Sequence, residues 1–182
     1  MRGKSKMNLE TQQQKEYNHD LIDYLVPRLF IFPDQTALDV GTGDGYLLSK
    51  LNCHKFKIEK GGKKISKKFD YIFLLDVIEH LQLNEIDDYF KYFARSLNFF
   101  GKLIISTPNI NNFQMLSSFW DAPTHVRPFS SQTISDLAEV YGFFVYEEEF
   151  GFYKHPRKVL VNFLLGTQNS GKKIYFLTKQ EY

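Results

Sequence analysis

The sequence has 182 residues, of which 43% are hydrophobic and 16% aromatic, and its formal net charge is only +2. This composition fits one globular domain with a substantial core and excludes a disordered chain, and the small charge does not by itself indicate a nucleic-acid partner. Cys53 is the single cysteine, which excludes an internal disulfide and a cysteine-cluster zinc site. Because the N-terminus lacks a signal-peptide core and no apolar run approaches the ~20 residues that span a bilayer, we expect a cytoplasmic protein without a membrane partner.

In chain order, the predicted elements alternate between helix and strand. Residues 1–9 are predicted to be a flexible basic arm, and residues 10–30 an N-terminal helix, because their apolar positions recur at helical spacing. The elements that follow are the strand Thr36–Val40, a helix from Tyr46 to Leu51, a short strand at Lys55–Glu59, the strand Phe69–Asp76, the helix Asn84–Leu97, the strand Lys102–Ser106, the helix Ser131–Tyr141 and the strands Phe143–Phe150 and Lys173–Thr178. Residues 109–127 are read as loop. This alternation predicts an α/β fold with a largely parallel sheet in a single domain spanning residues 1–182.

A glycine turn follows the first strand in the stretch ALDVGTGDG. In an α/β sheet, ligands bind at the carboxyl ends of the strands, and glycines let the backbone approach them closely. Gly41 and Gly43 fit the dinucleotide pattern G-x-G-x-x-G, but Tyr46 occupies its third glycine position and Gly45 comes one residue early. The Asp39 carboxylate would repel a phosphate and favour a cationic or hydroxyl-bearing ligand. The alternative is a tight turn that binds nothing.

A second glycine pattern, Gly166–Lys173, nearly matches the phosphate-binding pattern G-x-x-x-x-G-K-[ST]. Lys173 stands where the magnesium-binding hydroxyl should be, and a strand pattern follows instead of a helix. We therefore interpret this segment as a loop.

The segments LDVGTGDG, FDYIFLLDVIEHL, GKLIISTPN, THVRPFS and GFFVYEEE occur in this order between Ala37 and Phe150. Together they resemble the class I S-adenosylmethionine-dependent methyltransferases, most closely the group that includes the ubiquinone-biosynthesis O-methyltransferases and many small-molecule or sugar methyltransferases. The resemblance implies a Rossmann-like sheet, mostly parallel with an antiparallel last strand. It also implies S-adenosyl-L-methionine as the cofactor.

The resemblance also implies roles for individual residues. Those placed against the methionine and ribose of the cofactor are Asp39, Gly41, Thr42, Gly43 and Gly45, and those at the end of the family's fourth strand, beside the sulfonium and the substrate, are Asp76 and Val77. His80 and His125 are the candidate general bases for a hydroxyl acceptor, since an imidazole titrates near neutrality. The alternatives are that His80 is hydrogen-bonded locally and that His125 only orients its loop, while Glu79 is read as a solvated or structural contact. No metal ligand set is expected.

The chain departs from the family pattern after the glycine turn. Only 23 residues lie between Gly45 and Phe69, and a crossover between parallel strands needs at least ~10–12 residues. We therefore predict that part of the family's strand 2–helix–strand 3 region is missing. Glu59, 20 residues after Asp39, is the candidate that binds the ribose. The adenine would then be covered by a second subunit or by the aromatic residues 113–120, or the cofactor would not bind, and the exposed sheet edge favours a homodimer.

Two functions follow from these observations. The first is methyl transfer to a hydroxyl or similar nucleophile of a small molecule or glycan. The alternative is a catalytically degenerate module that binds nucleic acid or a protein partner. It is motivated by seven lysines in the shortened segment, Lys55, Lys57, Lys60, Lys63, Lys64, Lys67 and Lys68, which form either a phosphate-binding patch or a solvated connection. Nucleic-acid methylation is less favoured, because DVIEHL lacks the [DNS]-P-P-[YFW] tetrad of amino-methyltransferases.

Overall fold

The computed structural model describes residues 16–152, 164 and 170–179; the predicted basic arm lies outside them. Helix α1 covers residues 16–25 and continues into a 3-10 turn. The other helices are α2 (Tyr46–Lys50), α3 (Leu83–Ser96), α4 (Phe113–Ser118) and α5 (Ser131–Val140), and the 3-10 turns are Val26–Arg28, Ile78–His80 and Phe119–Asp121. The strands are β1 (Thr36–Val40), β2 (His54–Ile58), β3 (Phe69–Leu75), β4 (Leu97–Pro108), β5 (Phe143–Phe152) and β6 (Ser170–Lys179).

The six strands form one mixed sheet in the order β2-β1-β3-β4-β6-β5. Strand β1 pairs in parallel with β2 and β3, and β3 pairs in parallel with β4. Strand β6 runs antiparallel to both β4 and β5. The predicted fold class is confirmed, including the antiparallel last strand.

Helices cover both faces of this sheet, which is why its central strands are apolar throughout. In β3 alternate side chains enter two different cores: Ile72 packs with α3 and α5, and Phe73 packs with α1 and α2. Both side chains are fully buried. No helix within the described part of the chain is long and apolar enough to cross a membrane.

The predicted shortening after β2 is confirmed, since residues 59–68 contain neither helix nor strand. This segment folds back onto α3, where the Tyr92 hydroxyl donates to the Ile65 carbonyl at 3.0 Å and the Gly61 N–H donates to the Tyr89 hydroxyl at 2.9 Å. The Lys64 ammonium donates to the Asp88 carbonyl at 2.8 Å. Strand β2 is therefore an edge strand, and the homodimer through this edge stays a prediction.

Two predicted loops contain regular structure. Residues 109–127 include α4, because the Asn112 side chain caps that helix by accepting from the N–H groups of Gln114 and Met115. Within Gly166–Lys173, residues 170–173 belong to β6, in which Ser170 pairs with β5 and Lys172 pairs with both β4 and β5. The interpretation of residues 170–172 as loop is wrong, and it hid a lysine, Lys172, that faces the site described next.

Candidate functional site

Three positive φ angles shape the turn after β1. Gly41, Gly43 and Gly45 have φ values of 76°, 55° and 80°, which are costly for residues with a side chain. A Cβ on Gly41 would lie 2.6 Å from a methyl carbon of Val77, so this glycine lets the turn after β1 pack against the turn after β3. A Cβ on Gly43 would have no protein atom within 4 Å.

A cavity of about 180 Å³ opens above this turn, at the carboxyl ends of β1 and β3. Its lining includes Asp39, Thr42 and Gly43 from the end of β1 and the turn after it, and Asn18 and His19 from α1. Sequence reasoning missed the contribution of α1, since its helical pattern gives no sign of which turn faces the sheet edge.

The cavity wall contains two polar groups that suit a polar or cationic ligand. Asp39 is only 4% exposed; burial, followed by the charge of the nearby Glu59 carboxylate, raises its pKa to about 7 against the opposing charge of Lys57. The buried Thr42 hydroxyl has no hydrogen-bond partner among the described residues. A ligand with hydroxyl or amino groups would satisfy this hydroxyl, and a positive charge would favour ionised Asp39.

Glu59 directly follows β2, at the rim of the same region. The Gly41 N–H donates to the Ile58 carbonyl at 2.9 Å, which places the residue after Ile58 beside the glycine turn. Glu59 is exposed, and it does not belong to the cavity lining among the described residues.

Asp76 has an unusual backbone conformation, with φ at 53°. Ser106 holds it there, since the Asp76 N–H donates to the Ser106 carbonyl and hydroxyl oxygens at 3.1 Å and the Ser106 hydroxyl donates to the Asp76 carboxylate at 2.9 Å. The Lys172 ammonium forms an ion pair with the other carboxylate oxygen and contacts the Asn18 side chain at 2.7 Å. Lys172 is 2% exposed, and sequence reasoning missed it because it comes from β6.

A second, larger cavity of about 710 Å³ lies on the other side of Asp76. Its lining includes His80, His125 and Lys172, together with Met115 and Phe119 from the segment that contains α4. The aromatic segment 113–120 therefore faces the larger cavity and not the smaller one. Asp76 and Asn18 line both cavities.

The structure brings the two predicted histidines together, with ring centroids 4.8 Å apart. His80 Nδ1 lies 2.9 Å from the Thr124 carbonyl oxygen, and His125 Nδ1 lies 2.6 Å from the Phe119 carbonyl oxygen. Because a carbonyl oxygen only accepts, each Nδ1 carries the proton in these bonds. Burial lowers the pKa of His125, which favours its neutral form. Both rings are thus hydrogen-bonded locally and also face the larger cavity.

Glu79 directly precedes His80 in the sequence, and it is 1% exposed. It is therefore not a solvated contact. Its backbone carbonyl accepts from the Val126 N–H at 2.7 Å, which fastens the loop of His125 to the turn of His80. Burial, followed by the charge of Asp76, raises the pKa of Glu79 to about 8. Sequence reasoning missed the role of this position, because an acidic residue before a polar helix is ordinarily exposed.

Comparisons with known proteins identify the family and the fold of the chain. A family model described as a methyltransferase domain matches residues 10–148. No curated protein sequence matches the chain. Among solved structures, a SAM dependent methyltransferase from Archaeoglobus fulgidus has a TM-score of 0.73 and 15% identity, with 93% of this chain and 99% of that chain covered.

Two further structures illustrate the range of proteins with this fold. A chain in the complex of the Haloferax volcanii Trm112 methyltransferase activator with a methyltransferase has a TM-score of 0.72 and 11% identity, covering 94% of this chain and 93% of its own. A phosphoethanolamine N-methyltransferase from Haemonchus contortus, in complex with phosphomonomethylethanolamine and S-adenosylhomocysteine, has a TM-score of 0.65 and 14% identity, covering 89% and 53%. At these identities the likeness is one of fold.

Proposed function

The chain belongs to the class I S-adenosylmethionine-dependent methyltransferases, whose methyl donor is S-adenosyl-L-methionine, and from this premise we propose that it methylates a hydroxyl or similar nucleophile of a small molecule or glycan. One observation carries the proposal: the two cavities share Asp76 and Asn18 as a common wall. A donor bound in the smaller cavity and an acceptor bound in the larger one would meet at Asp76. Alignment of two reactants supplies up to ~7–11 kcal/mol of the barrier in such reactions.

We assign the cofactor to the smaller cavity. Gly41, Gly43 and Gly45 keep side chains out of the turn, and the unpaired Thr42 hydroxyl and the Asp39 carboxylate offer hydrogen bonds. These groups fit the amino acid and ribose parts of the donor. Glu59, at the rim beside Gly41, is assigned to the ribose hydroxyls.

When bound, S-adenosyl-L-methionine supplies a methyl group on a cationic sulfur, so the chain need not provide a nucleophile of its own. The residues of the chain have to bind the donor and the acceptor, orient them and exclude water. Asp76 is suited to orientation, since Ser106 and Lys172 fix its carboxylate where the two cavities meet. Val77 packs against the glycine turn and keeps the two turns in contact.

The larger cavity is assigned to the acceptor. With Nδ1 of each imidazole donating to a backbone carbonyl, Nε2 of His80 or His125 is the atom that accepts a proton from an acceptor hydroxyl. The lowered pKa of His125 keeps this nitrogen free at neutral pH. General-base assistance of this kind typically contributes 10²–10⁴-fold.

The first test is a calorimetric titration of the protein with S-adenosyl-L-methionine and S-adenosylhomocysteine, comparing wild type with Gly43→Ala. A Cβ at residue 43 meets no protein atom within 4 Å, and Gly43 lines the cavity, so we expect the protein to fold and cofactor binding to fall at least about tenfold. Gly61→Ala is the matched control, because Gly61 also has a positive φ, of 73°, and open space around its Cβ, but it does not line the cavity.

The proposal fails if wild-type protein releases no heat with either ligand, or if the two glycine variants weaken binding equally. Salt-dependent binding to RNA or DNA without cofactor binding would favour the nucleic-acid-binding module instead. The exposed lysines of residues 55–68 are the group to substitute in that case.

A further inference from the structure

We propose that Glu79, His80 and His125 bind a divalent transition-metal ion in the larger cavity. One potential ligand atom of each residue lies within 4.8 Å of the others. Three atoms that each lie about 2.1 Å from a shared ion in tetrahedral geometry are about 3.4 Å apart, so side-chain movements of about 1 Å close the site. The three residues come from two turns that the backbone hydrogen bond from Val126 to Glu79 holds together.

The hydrogen bonds of the two imidazoles involve Nδ1 and leave Nε2 of each ring available as a metal ligand. In both rings Nδ1–H donates to a backbone carbonyl, of Thr124 or Phe119. This fixes the neutral tautomer in which Nε2 carries a lone pair. Metal-binding histidines usually have such a partner on their second nitrogen, because it orients the ring and makes the ligand nitrogen more basic.

Glu79 supplies an independent observation. Its Oε2 atom is buried and has no hydrogen-bond partner among the residues that the structure describes. A buried carboxylate oxygen without a partner is costly, and the nearby cation, Lys172, is already paired with Asp76. A metal ion between Glu79 and the histidines would satisfy this oxygen.

The donor set indicates the class of metal. Two imidazole nitrogens and one carboxylate oxygen suit Mn²⁺, Co²⁺ or Zn²⁺, whereas Ca²⁺ and Mg²⁺ favour oxygen ligands. Three protein ligands leave coordination positions open, as in catalytic metal sites. These positions face the acceptor cavity, since all three residues line it.

The consequence for the reaction rests on the proposed function. An acceptor oxygen bound to the ion would lose its proton more readily, because a metal ion stabilises the oxyanion. His80 and His125 would then act as ligands instead of general bases, and the acceptor proton would pass to solvent water. The acceptor oxygen would form the new bond to the methyl carbon as the bond from that carbon to the donor sulfur breaks, with S-adenosylhomocysteine as the leaving group. This favours acceptors with a hydroxyl that can coordinate a metal.

The test is a titration of chelator-treated protein with Co²⁺, followed by its visible absorption, and with Zn²⁺, followed by calorimetry, both without cofactor. We expect one ion per chain. His125→Ala and Glu79→Gln should each weaken binding by more than the roughly 10–100-fold that loss of an outer-shell partner costs. His54→Ala, at the exposed start of β2, is the control that should leave the affinity unchanged.

Circular dichroism of each variant establishes that it is folded, and His80→Ala provides a second ligand variant if Glu79→Gln is not. The inference is overturned if the folded wild type binds neither ion, or if His125→Ala and His80→Ala bind both as wild type does. Metal binding without binding of S-adenosyl-L-methionine would support this inference and contradict the proposed function. Binding of S-adenosyl-L-methionine without metal binding would support the proposed function and overturn this inference.

Discussion

The two cavities that share Asp76 differ in how far apart their lining residues lie in the sequence. The smaller one takes its lining from residues between Asn18 and Asp76 and is dominated by one continuous turn after β1. The larger one takes its lining from residues between Tyr17 and Lys172, brought together by α1, the turn after β3, the segment around α4, and β6. A continuous turn leaves a motif in the sequence, while a wall built from four remote segments does not.

The two cavities also differ in how their charges are balanced. In the smaller cavity Asp39 is a buried carboxyl that burial pushes toward its neutral form. In the larger one Asp76 is neutralised by Lys172. A cationic ligand would stabilise the ionised form of Asp39. The charge of Asp76, in contrast, is already balanced within the protein by Lys172. The following predictions test this contrast.

The largest effect is expected at Lys172. Lys172→Met removes the cation beside Asp76. Asp76 and the buried Glu79 then lie close together with no positive charge from Lys172 to balance them. Loss of one partner of a buried ion pair typically costs about 3–5 kcal/mol of unfolding free energy, measured here by urea denaturation.

The control for this substitution is Lys173→Met in the same strand. Lys173 pairs with Glu147 and Glu149, whose side chains are 30% and 24% exposed and can be hydrated after the change. We expect a smaller loss than for Lys172→Met, because these two carboxylates are more exposed than that of Asp76. Equal losses for the two variants would show that the larger cavity does not depend on its internal ion pair.

Asp39→Asn is expected to change how stability depends on pH. The Asp39 pKa rises from 3.8 to about 7 on folding, so between these values the folded protein retains a proton that the unfolded chain has lost. Stability due to this group is therefore complete below about pH 4 and is lost as the pH rises through 7, by up to about 4 kcal/mol. Asparagine does not ionise, so the variant should be more stable than wild type at pH 8, with little difference at pH 4 or below.

Thermal denaturation at pH 4 and pH 8 measures this difference. Asp87→Asn is a suitable control, because hydrogen bonds from Lys91 and Tyr141 lower the pKa of that exposed carboxyl, and its removal should not stabilise the protein at pH 8. If the difference in stability between wild type and Asp39→Asn is the same at both pH values, then folding does not raise the pKa of Asp39.

The smallest effect is expected at the rim. Glu59 is exposed, so Glu59→Gln should leave the urea midpoint unchanged while weakening S-adenosyl-L-methionine binding about tenfold, or about 1.4 kcal/mol. Glu139→Gln, an exposed glutamate on α5, controls for the loss of one surface charge. Unchanged affinity in Glu59→Gln would remove Glu59 from the cofactor site.

Much of the fold could be predicted because its signals are local. The continuous apolar run of β3 indicated a strand covered on both faces, and the three glycines indicated the turn at the end of β1. The shortened segment before β3 was predicted by counting residues alone, since chain length limits what a connection can contain. The start of α4 was missed, because an asparagine cap such as Asn112 is also typical of a turn.

The amino-acid sequence by itself determined the α/β fold, the glycine turn at Gly41–Gly45 and the missing region of the sheet, because each depends on neighbours in the chain. Only the tertiary structure decided that Lys172 neutralises Asp76 and that Glu79, His80 and His125 converge in one cavity. These contacts join residues far apart in the chain, and they depend on how β6 pairs with β4 and how the loop of His125 docks on Glu79. The periodicity or spacing of residues within a single segment does not predict contacts of this kind.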